Sequence, residues 1–215
     1  MADLRVTALP QAAEHVEQLY REHVEAARHL PVLALELGHP VACQRGCCDC
    51  CCELVAMTHA EAFVMAVFLA QPEQAELRER FVRRARDWMI MAGSRPKFAL
   101  EALRSGDDAG YLLARREHGL KRIMCPANED GDCKVYEQRP LACRMTYVVD
   151  TSANCAPRDP PGPEMDVISS EPYEQFLDHA RQLVSDTEAA LGHDARDRVA
   201  LAPAVLDALR ALGAI

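Results

Sequence analysis

A mostly α-helical domain carrying two cysteine-rich loops is the fold class this sequence predicts. Three observations predict it. Hydrophobic residues fill 49% of the 215 positions but aromatics only 5%, so the core must be built from Ala, Leu and Val, a mix that favours helices. Long segments repeat their apolar positions every three or four residues. The main departures from that pattern fall at cysteines. Six of the ten lie in Cys43-Gln-Arg-Gly-Cys47-Cys48-Asp-Cys50-Cys51-Cys52, and the rest follow at Cys125, Cys133, Cys143 and Cys155.

Residues 11–30 read as a helix with Val16, Leu19, Tyr20, Val24, Ala27 and Leu30 on its inner stripe. Pro31 breaks or kinks it. Val32 to Leu37 reads as a further short helix, closed by Gly38 and Pro40. After the first cysteine loop, Thr58-His-Ala-Glu61 is a capping box that starts a helix running to Ala70. Pro72 opens the next helix, whose apolar face is Leu77, Phe81, Ala85, Trp88 and Met89, to about Met91. Arg78, Arg80, Arg83, Arg84 and Arg86 surround that stripe and read as a solvated face. Short helices are expected over 96–104 and 108–118, with Asp107-Asp108 as cap residues. From Leu120 to Tyr147 the cysteine spacing and Asn128-Glu-Asp-Gly131 imply loop and turn, with a short helix over 135–144 interrupted near Pro140. Residues 156–163 read as a stiff proline-rich loop. Ser170 caps a helix to Leu191 that carries Tyr173, Phe176, Leu177, Ala180, Leu183 and Val184 inward. A last helix covers roughly 195–212. The expectation is one helical domain over 1–215, with a cysteine-cluster core over 41–155.

The net charge of −9 and a pI of about 5.4 leave no basic footprint for nucleic acid at the whole-chain level. The N-terminus shows no signal peptide. The longest apolar stretch, Ala62 to Ala70, is too short to span a bilayer. A cytoplasmic protein with no membrane or nucleic-acid partner is the expectation, and the sequence names no protein partner. In a reducing compartment free thiols stay free unless a metal holds them. Neighbouring cysteines do not readily bridge each other, so a dense cluster is best explained as thiolate ligands for a soft metal ion.

The first cluster has two frames, Cys43-x3-Cys47-x2-Cys50-Cys51 and Cys48-x2-Cys51-Cys52. The second is Cys125-x7-Cys133-x9-Cys143-x11-Cys155, with Tyr136, Arg139, Pro140 and Arg144 placed between and after its members. The pairing resembles the zinc- or iron-chelating family named for its CxxCxxCC signature. The downstream half of that signature is matched at Cys125, Gly131, Cys133, Tyr136, Arg139, Pro140, Cys143 and Arg144. The front half matches a longer variant at Cys43, Gly46, Cys47, Cys50 and Cys51, since Gln44 and Arg45 stand where strict spacing would differ.

The eight candidate metal ligands are therefore Cys43, Cys47, Cys50, Cys51, Cys125, Cys133, Cys143 and Cys155. They suit two four-thiolate zinc sites or an iron–sulfur cluster with spare thiols. Adjacent Cys50 and Cys51 favour a polynuclear centre or two sites sharing the loop. Cys48 and Cys52 read as small buried hydrophobes. Arg139, Arg144 and Tyr136 are candidates to surround the bound cofactor, and Lys134 and Arg45 to offset thiolate charge.

His39 is weighed as a ligand against a plain loop histidine, and His59 reads as exposed. Met89, Met91, Met124 and Met145 read as core filling, and Glu129-Asp130 as turn residues. No HExxH, GxGxxG, P-loop or Gly-x-Ser-x-Gly motif appears. Two functions follow: a metal-binding protein holding zinc or an iron–sulfur cluster, or an iron–sulfur-dependent redox or group-transfer enzyme. Flagellin lysine methylases look similar in cysteine pattern, which implies the second. The absence of a glycine-rich cofactor motif weighs against it.

Overall fold

The structure, a computed structural model, describes residues 2–44, 46–155 and 169–215. It is mostly α-helical. The loop expected over 156–163 and the role expected of Arg45 lie outside the described residues. Helix α1 spans Ala2–Ala27, longer than its apolar stripe predicts. A proline removes one helical hydrogen bond, yet the helix continues through Pro10. Val16, Leu19, Tyr20 and Ala27 are buried as expected, but Val24 is more than half exposed. Helix α2, Leu30–Glu36, begins with Pro31 in its first turn, where a missing N–H costs nothing.

The main core lies between helices α3, α4 and α9. Helix α3, His59–Ala70, starts at the predicted capping box: Glu61 N donates to Thr58 Oγ1 at 3.0 Å, and Thr58 N donates to Glu61 Oε2 at 2.9 Å. It buries Ala62, Met65, Ala66 and Leu69. Helix α4, Ala75–Ala92, adds Phe81, Val82, Ala85 and Trp88. Met89 and Met91, expected inside, are exposed at the far end of α4, and Met124 is exposed in the segment after Leu120. The 3.6-residue period turns these α4 positions past the edge of the buried stripe.

Helices α5, Arg95–Ser105, and α6, Asp108–Leu120, pack on each other. Asp107 caps α6 by accepting from Gly110 N at 2.9 Å. Helix α7 is a single turn, Leu141–Arg144. A short 3-10 helix over Tyr136–Gln138 precedes it, so the interruption expected near Pro140 is present. Helix α8, Glu171–Ala190, packs against α1 and buries Tyr173, Phe176 and Ala180. Ser170 stands at its cap position but makes no capping bond with its side chain. Helix α9, Leu201–Ala211, closes the core with Leu201, Val205, Leu206 and Leu209. It starts later than expected because Val199–Ala200 is a strand.

Two small antiparallel pairs pin the loops. Strand β1, Ala56–Met57, pairs with β4, Val199–Ala200. Strand β2, Asn128–Glu129, pairs with β3, Asp132–Cys133. The connecting residues Asp130 and Gly131 both have positive φ, 53° and 85°, and an Asp-Gly pair suits such a hairpin turn because it tolerates that backbone. Among the described residues no helix is long and apolar enough to cross a membrane.

Candidate metal centre

The first cysteine loop follows α2. An isolated bridge between Val41 and Val149 begins it, reinforced by Ala42 N donating to Val148 O at 2.7 Å and Asp150 N to Pro40 O at 2.8 Å. A short 3-10 helix over Asp49–Cys52 ends it. The second loop is set by the β2–β3 hairpin, the α7 turn and a 3-10 helix over Ser152–Cys155. The two loops meet directly: Cys125 N donates to Cys51 O at 2.7 Å, and Asn128 Nδ2 donates to Cys51 Sγ at 3.5 Å.

All ten cysteines are free thiols. Cys155 interacts electrostatically with both Cys43 and Cys50, and Cys50 with Cys51. Interaction with Cys155, and then with Cys51, draws the Cys50 thiol down to about 3, and interaction with Cys155 draws Cys43 down to about 6. Cys51 and Cys155 are pushed up by the same partners. Burial pushes Cys125 up to about 12 and raises Cys133 and Cys143; for Cys143 the charges of Cys125, Cys50 and Cys133 add to the effect. All eight candidate ligands are thus linked by electrostatic influence, Cys47 through the charges of Cys50 and Cys43. A cluster with so little countercharge keeps most of its protons, because several unpaired thiolates in a partly buried site are costly.

Backbone groups act on several of these sulfurs. Val148 N donates to Cys43 Sγ at 3.1 Å. The backbone groups of Ala127 and Asn128 lower Cys125 against its burial, and that of Val135 lowers Cys133, while Asn128 N donates to Cys125 O at 3.0 Å. Such donors favour the anionic form of sulfur. Among the described residues, the charge of Arg139 lowers Cys43, Cys50, Cys133 and Cys143 alike. Its guanidinium lies over the Tyr136 ring, 3.8 Å from the centroid, and its Nε is buried with no hydrogen-bond partner.

Arg144 turns elsewhere. It is buried, donates from Nε to Arg139 O at 2.9 Å and from Nη2 to Glu137 O, and covers the Tyr20 ring at 3.9 Å. It therefore braces the turn that carries Cys143. Lys134 pairs with Asp132 at 3.1 Å.

Cys47 faces the Asp49 carboxylate at 3.9 Å, at the rim of the cluster. Cys52 is buried as expected, with its thiol donating to Asp49 O and Arg122 Nη1 3.9 Å away, whereas Cys48 is half-exposed. His39 pairs with Asp150 at 3.2 Å. His59, expected free at the surface, is half-buried: its Nδ1 lies 2.8 Å from Glu188 Oε2 and its ring stacks on His193. Among the described residues, no three Cys, His, Asp or Glu side chains are set around a common point as a ready-made metal cage; the thiols bond to one another and to the backbone.

Three supports of this region were not visible as site residues in the sequence. Asn128 binds Cys51 and also accepts from Gly131 N through Oδ1 at 3.2 Å, which fixes the hairpin turn. Arg80 and Arg84, read as a solvated face, reach Glu129 Oε1 at 3.0 Å and Asn128 O, tying α4 to the hairpin. Glu61 goes beyond its capping box: Leu141 N donates to its Oε1 at 2.6 Å, and Tyr20 OH lies 3.5 Å from the same oxygen. The Asn-Glu-Asp-Gly turn signal was the one sequence cue to Asn128. The chain matches no family model, no curated protein and no solved structure.

Proposed function

We propose that this chain is a cytoplasmic metal-binding protein in which thiolates from two loops hold zinc or an iron–sulfur cluster, and that it belongs with the CxxCxxCC cysteine-cluster family it resembles. The observation that carries the reading is the N–H of Val148 on Cys43 Sγ and the side-chain amide of Asn128 on Cys51 Sγ, with backbone groups of Ala127, Asn128 and Val135 lowering Cys125 and Cys133, beside the buried Nε of Arg139, which has no hydrogen-bond partner among the described residues. Neutral thiols have little use for such donors, whereas thiolates do. The donor set is soft and of one kind, which suits zinc or iron.

Cys43, Cys50, Cys51, Cys125, Cys133, Cys143 and Cys155 would hold the metal, with Cys47 at the rim, and Tyr136 and Arg139 flanking them. A bound metal would supply positive charge that lets the raised thiols lose their protons. The chain's own residues orient the sulfurs, through the β2–β3 hairpin and the α7 turn, and offset charge through Arg139. The adjacent pair Cys50 and Cys51, which perturb each other's thiols in opposite directions, favours a polynuclear centre, which keeps a redox or group-transfer enzyme as the second reading.

Anaerobic purification followed by metal and acid-labile sulfide analysis tests this. Zinc without colour, or iron with sulfide and a brown colour, is the expected outcome. A reduced protein that takes up neither metal overturns it.

A further inference from the structure

Helix α6 is apolar on two sides. Its inner side packs on the main core through Tyr111 and Ala114, and His118 is buried with its ring centroid 5.1 Å from that of Trp88. Its outer side carries Ala109, Leu112, Leu113 and Leu120 at the spacing of one helical stripe, with Arg116 among them. Leu112 is 59% exposed, Leu113 54% and Leu120 39%. A surface helix is normally polar on its outer side, and one that is apolar all round is covered on both. Single exposed leucines need no explanation, but this stripe runs for about 17 Å. Nearby, Ile90 in the last turn of α4 and Phe98 in the first turn of α5 are exposed as well.

The charge around the stripe is opposite to that of the whole chain. Residues 75–122, from α4 to the turn after α6, hold twelve of the 24 lysines and arginines but seven of the 33 aspartates and glutamates, a net +5 in a chain of −9. Arg83, Arg86, Lys97 and Lys121 are exposed, and their side chains make no ion pair among the described residues. Asp108 and Glu117 stand at the two edges of the stripe, both exposed.

We propose that the outer face of α6, with the basic residues around it, is a docking surface for an acidic amphipathic helix of a partner protein. Apolar side chains of that helix at i, i+3, i+4 and i+7 would lie along the leucine stripe. Its carboxylates would meet the cations of residues 75–122, which steers the encounter and fixes register. Other occupants fit worse. A two-fold dimer through α6 would set the basic region against its own copy. An anionic bilayer would meet Asp108 and Glu117 at the edges of the stripe. Aliphatic side chains offer a nucleic acid neither stacking nor a hydrogen bond.

The probe is a synthetic amphipathic helix of roughly 20 residues, fluorescently labelled, with Leu at i, i+3, i+4 and i+7 and Glu on its flanks. Its control carries Lys in place of every Glu. Anisotropy with the full, reduced chain should show saturable binding of the Glu peptide, at least about 10-fold tighter than the Lys peptide and weakened by salt. Leu112→Asp with Leu113→Asp should weaken it by roughly 10-fold or more, with circular dichroism unchanged because both side chains face solvent. Leu112→Gln with Leu113→Gln serves if the aspartates disturb the fold, and the comparison of the two peptides needs no variant. Absence of saturable binding, equal binding of both peptides, or unchanged binding by a folded double variant overturns the proposal. So does a dimer in sedimentation that the double variant abolishes, which would put a second copy on this face. Binding to phosphatidylserine–phosphatidylcholine vesicles that the double variant abolishes would put a bilayer there and overturns it equally.

Discussion

Glu61 is where the helical core and the second cysteine loop are joined, and replacing it separates the two. The side chain is 5% exposed. Its Oε2 accepts from Thr58 N at 2.9 Å, and its Oε1 accepts from Leu141 N at 2.6 Å, with Tyr20 OH at 3.5 Å. Glu61→Ala removes the acceptor and leaves two backbone N–H groups and a buried hydroxyl without it. Each orphaned buried donor costs roughly 1–3 kcal/mol, and water entering the gap recovers part of that. A loss of about 3–4 kcal/mol is expected, a large share of the ~5–15 kcal/mol a domain of this kind has. Glu61→Gln keeps one acceptor oxygen but turns an NH2 toward one of the donors, so about 1–2 kcal/mol follows.

Urea unfolding of the reduced, metal-free protein, followed by far-UV circular dichroism, measures both variants. Amide exchange at Leu141 should also accelerate in Glu61→Ala, because that N–H is tied to the core through Glu61. Equal stability of the two variants, or unchanged exchange at Leu141, would refute the claim that one carboxylate couples α3 to the turn carrying Cys143.

Arg139→Ala should weaken metal retention under chelator challenge by roughly 10-fold, while Arg144→Ala should chiefly lower stability, since its guanidinium binds Arg139 O and Glu137 O and not the sulfurs; equal retention in Arg139→Ala and wild type defeats the first half. His23 is 3% exposed, and burial, with the charges of Arg144 and Arg139, lowers it to about 4. The unfolded chain protonates this histidine below about 6.5 and the folded chain resists until about 4, so its contribution is full above pH 6.5 and is lost as pH falls to 4, by about 3 kcal/mol. His23→Phe should flatten that part of a stability–pH curve; an unchanged slope would show that other groups set it. Asn128→Ala removes both the N–H on Cys51 and the acceptor for Gly131 N, so it should loosen the hairpin, read as faster amide exchange at Gly131; exchange as slow as in the wild type would show that Asn128 does not fix the turn.

Most of the helical plan was legible because it rests on local signals. The capping box at Thr58 and Glu61, the Asp107 cap and the Pro140 break are short-range chemistry, and all three stand where the sequence puts them. The misplaced residues share a different cause. Met89, Met91 and Val24 are apolar at the edges of helical stripes, and which edge is covered depends on neighbours far along the chain. His59 reads as a free residue after a cap, yet the buried carboxylate of Glu188, 129 residues away, accepts from it. Arg80 and Arg84 are likewise distinguishable from a solvated face only once the hairpin over 128–133 is packed beside α4. The cysteine spacing raised the expectation that the two loops meet, and they touch where Cys125 N donates to Cys51 O. The Val148 N–H that faces Cys43 Sγ comes from backbone, which carries no sequence signal.

The charge balance of the cluster explains why its supports are arranged unequally. Among the described residues Arg139 acts on four of the clustered sulfurs and Arg84 on Cys125, while Arg144 is spent on carbonyls of its own turn. With so little countercharge, burial wins and Cys125, Cys133 and Cys143 hold their protons. The backbone groups of Ala127, Asn128 and Val135 work in the opposite sense on two of the same sulfurs. A site left permanently as neutral thiols would gain little from those groups and would lose the Nε hydrogen bond of Arg139 for nothing. Donors that favour thiolates beside protonated sulfurs fit the proposed binding of a metal, whose charge would come from outside the chain. On this argument, adding metal to the reduced protein should release protons in proportion to the sulfurs engaged. Calorimetry in two buffers of different ionisation enthalpy counts them. Uptake of metal with no proton release would mean that the sulfurs were already thiolates and that the balance drawn from their burial is wrong.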